Sequence, residues 1–167
     1  MSWPIRFLEH PPLHAADPES FHYDGSVDFQ KLAIGNLCFY HHQGKPCLDR
    51  EHLAKLHLTA HYFKVNAARP PLILVLPDHA FPNGKLYFLV DGQCYSNTCT
   101  KCGKKAYKNT CAGGCTPKGY YDAWTVTGAS PLITVAPSVN YDDPGGDGDP
   151  PRKHYHGFVQ NGVIGDG

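Results

Sequence analysis

Hydrophobic positions in this chain come in short runs separated by turn residues. Leu72 to Leu76 is an almost continuous apolar run between prolines, and its length and branching predict an interior strand. Lys85 to Val90 predicts another, entered through Asn83-Gly84 and left through Asp91-Gly92, dipeptides suited to tight turns. Leu32 to Tyr40, Asp122 to Thr127, Leu132 to Ala136 and Tyr155 to Gln160 add further strand candidates. At the end of the chain, Phe158 to Ile164 places two short extended pieces around Asn161-Gly162, the strongest hairpin signal present. A helical pattern follows Asp49, which can cap a short helix holding Glu51, Leu53 and Leu56. A second helix is expected from Thr59, with Tyr62 and Phe63 on its buried side and Pro70 as its stop.

This pattern predicts a mainly β fold with one or two short helices, a small α+β domain carrying a zinc-knuckle insertion. Residues 1–30 hold Pro4, Pro11, Pro12 and Pro18 without periodicity and read as an extended N-terminal arm. Residues 31–167 read as a single β-rich domain, with the knuckle spanning 94–118. At 167 residues the chain is long enough for one real core. Only 18% of it is charged, and 17 Gly and 15 Pro fill the gap, which argues against a long-helix bundle. Fifteen basic residues balance fifteen acidic ones, excluding a globally basic nucleic-acid coat while leaving local patches open.

Seven cysteines is an odd count for a secreted disulfide framework. The opening Met-Ser-Trp-Pro-Ile-Arg lacks the basic and apolar regions of a secretory signal, and no apolar run is long enough for a membrane helix. The expectation is a protein of a reducing compartment, not secreted by a signal peptide and without a membrane partner. Clustered cysteines there point to metal. Cys99-Thr-Lys-Cys102-Gly has the form of a zinc knuckle, and Cys111 and Cys115 supply a second pair across Gly113 and Gly114. Four thiolates suit Zn(2+) in a closed, structural tetrahedron. The second pair has three intervening residues instead of two, and Cys94 lies near enough to replace a ligand. Disulfides within the cluster, or reduced cysteines that bind nothing, are the alternatives. Cys38 and Cys47 stand apart.

Lys101, Lys104, Lys105 and Lys108 surround the cluster with Tyr107. They could contact phosphate while the tyrosine stacks on a base, or simply keep an exposed knuckle soluble. His57 and His61 would share a face of an unbroken helix, but no glutamate follows His57 as a metalloprotease helix requires. His154 and His156 alternate on a predicted strand and share a face. With Asp142 or Asp143 they could hold a catalytic metal for a hydrolase, or they support the Asp142 to Pro151 loop. The acidic loop lacks the ordered ligand spacing of a calcium-binding loop. No nucleophile elbow or phosphate-binding glycine loop is present. Nothing in the sequence compels catalysis.

Three C-terminal segments carry a family likeness: Trp124 to Gly128, Pro131 to Val139 and His156 to Ile164. In that order they resemble a small uncharacterised domain of tailed bacteriophages and prophages, and Arg69 to Pro77 is similar to a segment preceding it in some members. The resemblance implies a phage structural or accessory interaction protein. Other phage proteins or copies of itself would be its partners, in the host cytoplasm during assembly or in the virion. Members of that family often carry cysteines near the histidine-led strand, where this chain has His154 and His156, so a shared second metal site does not follow. The cysteine cluster is argued from its own residues. The expected function is therefore an interaction protein stabilised by structural zinc, with a hydrolase or a nucleic-acid-binding knuckle as rivals.

Overall fold

The computed structural model describes residues 1–15, 25–56, 69–95, 99, 101–104, 106–107, 110–115, 121–143 and 153–167; for 93–95, 106, 107, 110, 121–123, 137, 142, 143 and 153 it describes the backbone alone. The fold is mainly β with one short α-helix among the described residues, as the sequence pattern predicts. The chain divides into two compact units. The first comprises Met1–Cys47, Pro70–Val90 and Thr125–Gly167, and the second Leu48–Arg69 and Asp91–Trp124.

The first unit holds two main sheets. In chain order its strands are β1 (Ser2–Pro4), β2 (Arg6–Phe7), β3 (Asn36–Phe39), β4 (His41–His42), β5 (Lys45–Pro46), β6 (Leu72–Asp78) and β7 (Gly84–Leu89). The second unit contributes β8 (Gln93–Tyr95), β9 (Ala106–Tyr107), β10 (Thr110–Cys111) and β11 (Tyr121–Ala123). The first unit resumes with β12 (Thr125–Thr127), β13 (Thr134–Asp143), β14 (Lys153–Gln160) and β15 (Val163–Asp166). One sheet runs β2-β3-β6-β7 and the other β1-β15-β14-β13-β12. The start of the 1–30 segment is thus extended chain hydrogen-bonded into both sheets: β1 pairs antiparallel with β15, and β2 pairs parallel with β3.

Every residue of β6 is buried. Ile73 and Val75 pack with Val27, Leu32 and Cys38 on one face. By alternation Leu74 and Leu76 point to the other, where Leu74 lies between Leu37 and Phe88 in the register. Two-sided burial explains the continuous apolar run. The Asn161-Gly162 turn joins β14 to β15 as expected, with φ of 47° and 80°. Strand β14 begins two residues before its prediction, at Lys153, and β13 outruns its own furthest. Instead of stopping at Ala136, β13 continues through Pro137 to Asp143, with a register shift between Val135 and Val139 against β14. Proline offers the ladder no N–H, and an irregularity is where a strand accommodates one.

In the second unit, Asp49 caps helix α1 (Arg50–Ala54), its Oδ1 accepting from the backbone N–H of Glu51 at 3.0 Å and of His52 at 3.2 Å. The expected helix from Thr59, with His57 and His61, lies outside the described residues.

Candidate metal centre

Two turns and one hairpin build the cluster. In the first turn Gly103 N–H donates to the Cys99 carbonyl at 2.8 Å, and Cys99 N–H donates to the Lys104 carbonyl at 2.8 Å. Gly103 sits at φ 71°, a conformation glycine takes without steric cost. Antiparallel pairing of β9 with β10, Cys111 opposite Ala106, then returns the chain toward Cys102. In the second turn Gly114 N–H donates to the Cys111 carbonyl at 3.0 Å, with Gly114 at φ 74°. Each cysteine pair is therefore wrapped by a hydrogen-bonded turn with one left-handed glycine. The extra residue in the second pair is absorbed by Gly113, whose N–H donates to Cys111 Sγ at 3.2 Å.

The Sγ atoms of Cys99, Cys102, Cys111 and Cys115 all lie within 4.8 Å of one another. Cys102 Sγ and Cys111 Sγ are 3.4 Å apart. In a tetrahedral site with metal–sulfur bonds of about 2.3 Å, sulfurs stand roughly 3.8 Å apart, so the set is close to the required size. Cys99 and Cys111 are buried, Cys115 is half-buried and Cys102 is exposed. Among the described residues, none of Cys38, Cys47, Cys99, Cys102, Cys111 and Cys115 is joined in a disulfide. Among the described residues, this is the one group of three or more His, Cys, Asp or Glu whose ligand atoms converge in this way.

The thiols are electrostatically unlike. Cys111 is held down at about 6, chiefly by the Cys115 backbone N–H; burial opposes this, while the Gly113 N–H and the thiols of Cys102 and Cys99 add to it. Cys115 is pushed up to about 12, first by its bond with Cys102, then by burial and by its bonds with Cys99 and Cys111. Crowded sulfurs cannot all carry negative charge without a cation among them. A divalent metal that prefers thiolate supplies that charge and leaves its ligands deprotonated.

The other candidate residues separate from this centre. Cys94 lies on β8 with its backbone opposite Asp122, and its side chain is outside the described residues, as is that of Tyr107 on β9. Lys101 and Lys104 are exposed around the first turn, while Lys105 and Lys108 lie outside the described residues. Cys38 is fully buried, and burial pushes its thiol up to about 11, as expected for a packing residue. On β14, His154 is half-buried and His156 exposed, either side of buried Tyr155. The register sets His154 opposite Asp142 and Lys153 opposite Asp143. The carboxylates of both aspartates lie outside the described residues.

Sequence reasoning missed His79. Its Nε2 lies 2.9 Å from Asp166 Oδ1, and its Nδ1 accepts from the His156 backbone N–H at 3.4 Å. Its ring stands 6.0 Å from that of His154 and 5.0 Å from that of Tyr155. No local signal could have joined residues 79 and 166; only the β6–β14 packing does. Next to it, Asp78 Oδ1 accepts from the His154 N–H at 3.0 Å.

No family model matches the chain, and no curated protein or solved structure matches it. No helix among the described residues is long and apolar enough to cross a membrane. The four-cysteine cluster, compatible with a structural zinc site, is the chemical feature the structure establishes.

Proposed function

We propose that this chain is a structural or interaction protein whose knuckle folds around one Zn(2+) held by Cys99, Cys102, Cys111 and Cys115. The observation that carries this reading is the convergence of four sulfurs within 4.8 Å on two glycine-turned loops. Four thiolates fill a tetrahedron and leave no coordination position for water or substrate, which is the pattern of a metal that holds structure. Among its described residues, the second unit offers strands of two or three residues and a five-residue helix. Such elements order poorly alone, and metal binding then contributes directly to folding. The partners belong to the same proposal: other phage proteins or further copies of this chain. Their support is the likeness of the three C-terminal segments.

Elemental analysis of the full chain, purified under reducing conditions without added metal, tests the zinc reading. One zinc per chain is expected, falling to none in the Cys99→Ser, Cys111→Ser double variant. Zinc absent from the wild-type chain, and not taken up when supplied, would overturn it.

A further inference from the structure

The four sulfurs are not equivalent toward solvent. Cys102 is exposed while Cys99, at 1% exposure, is enclosed. Cys102 Sγ lies 3.4 Å from Cys111 Sγ, across the two turns. Gly113 fixes this approach: a Cβ there would stand 2.7 Å from Cys102 Sγ, so the sulfur is seated directly on the second turn.

We propose that the centre is also a peroxide-sensitive switch, in which Cys102 meets the oxidant and Cys111 closes a disulfide with it. The inference rests on the zinc reading, which makes both sulfurs metal-bound thiolates. Cys102 thiolate attacks one oxygen of hydrogen peroxide. The O–O bond breaks, leaving Cys102 as a sulfenic acid and releasing hydroxide. Cys111 thiolate then attacks that sulfur, forming the S–S bond and expelling a second hydroxide. Two thiolates are oxidised, one peroxide is reduced, and the sulfurs close from 3.4 Å to about 2.05 Å. Zinc is left with Cys99 and Cys115 and dissociates. A dithiol such as dithiothreitol reverses the step, itself becoming a cyclic disulfide.

The test treats the full chain with hydrogen peroxide and follows zinc release with a chromogenic chelator and the new bond by peptide mapping. One zinc per disulfide, a Cys102–Cys111 linkage, and recovery on adding dithiothreitol and zinc are expected. Mapping of the Cys102→Ser variant should show disulfide formation in the cluster slowed at least tenfold. Zinc retained with intact thiols under excess peroxide, a linkage between another pair, or an unslowed Cys102→Ser variant would overturn the switch. A chain without zinc that still forms the Cys102–Cys111 bond would overturn the zinc reading and support the thiol pairing.

Discussion

Arg69 closes on Asp91 through two parallel hydrogen bonds, Nη1 to Oδ2 at 2.9 Å and Nη2 to Oδ1 at 2.8 Å. The two residues stand where the chain leaves and re-enters the second unit, on either side of the β6–β7 hairpin. The pair therefore ties together the ends of both segments that make the unit. The Asp91 side chain is 1% exposed and that of Arg69 27%. A bidentate pair so placed is costly to break from one side, because the surviving charge loses two hydrogen bonds in a partly buried position. Asp91→Ala is expected to cost about 3 kcal/mol in a denaturant titration, near the low end for a buried pair because Arg69 keeps some solvent. Arg69→Met with Asp91→Leu should recover most of that loss. A cost below about 0.5 kcal/mol for the single variant would match an ordinary surface pair and contradict this.

The two glycines of the second turn should respond differently. A methyl group on Gly113 meets Cys102 Sγ at 2.7 Å, whereas nothing lies within 4 Å of the same position on Gly114, which is instead held at φ 74°. Gly113→Ala is expected to weaken zinc binding at least tenfold by pushing a ligand aside. Gly114→Ala should cost roughly 1 kcal/mol in backbone strain while zinc binding falls much less. Competition against a chelator of known affinity separates the two, and equal losses would refute the assignment.

Acid should act on the β15 end through Asp166. Its carboxyl is held below the usual range, first by the bond from the Met1 amine and then by His79, with burial opposing both. A group whose folded pKa is depressed stabilises the fold above its unfolded pKa, and that contribution disappears as pH falls through the folded value. Thermal melts from pH 6 down to pH 2 should therefore show a loss in the wild-type chain that Asp166→Asn lacks over the same window. Parallel pH profiles of the two proteins would show that this group contributes nothing.

Metal removal should be local. Leu37, Leu74, Leu76, Val139, Tyr155 and Ile164 are buried apolar or aromatic side chains far in sequence from the cysteine cluster, while the cysteine turns are the part expected to depend on the proposed zinc. Amide exchange after zinc chelation is expected to remain slow in β6 and β14 and to become fast in β9 and β10. Equal loss of protection in both regions would mean that the metal holds the whole fold.

Features set by neighbouring residues were legible in the sequence. The buried run of β6, the Asp49 cap, the Asn161-Gly162 hairpin and the cysteine spacing each follow from a few adjacent side chains. Features set by distant pairing were not. That β1 would lie beside β15, or His79 beside Asp166, depends on contacts whose partners leave no mark on one another in sequence. The strand expected to end at Ala136 runs on for a different reason: its pairing slips past Pro137 at a register shift. Exposure ordering within the cluster was likewise illegible, because spacing gives which sulfurs can meet and not which one faces water.

X-ray absorption at the zinc edge on the full chain reads the coordination of the proposed metal itself. One zinc per chain is expected, with four sulfur neighbours at about 2.3 Å and no nitrogen or oxygen in the first coordination sphere. A sphere containing nitrogen or oxygen, or fewer than four sulfurs, would contradict the closed thiolate site.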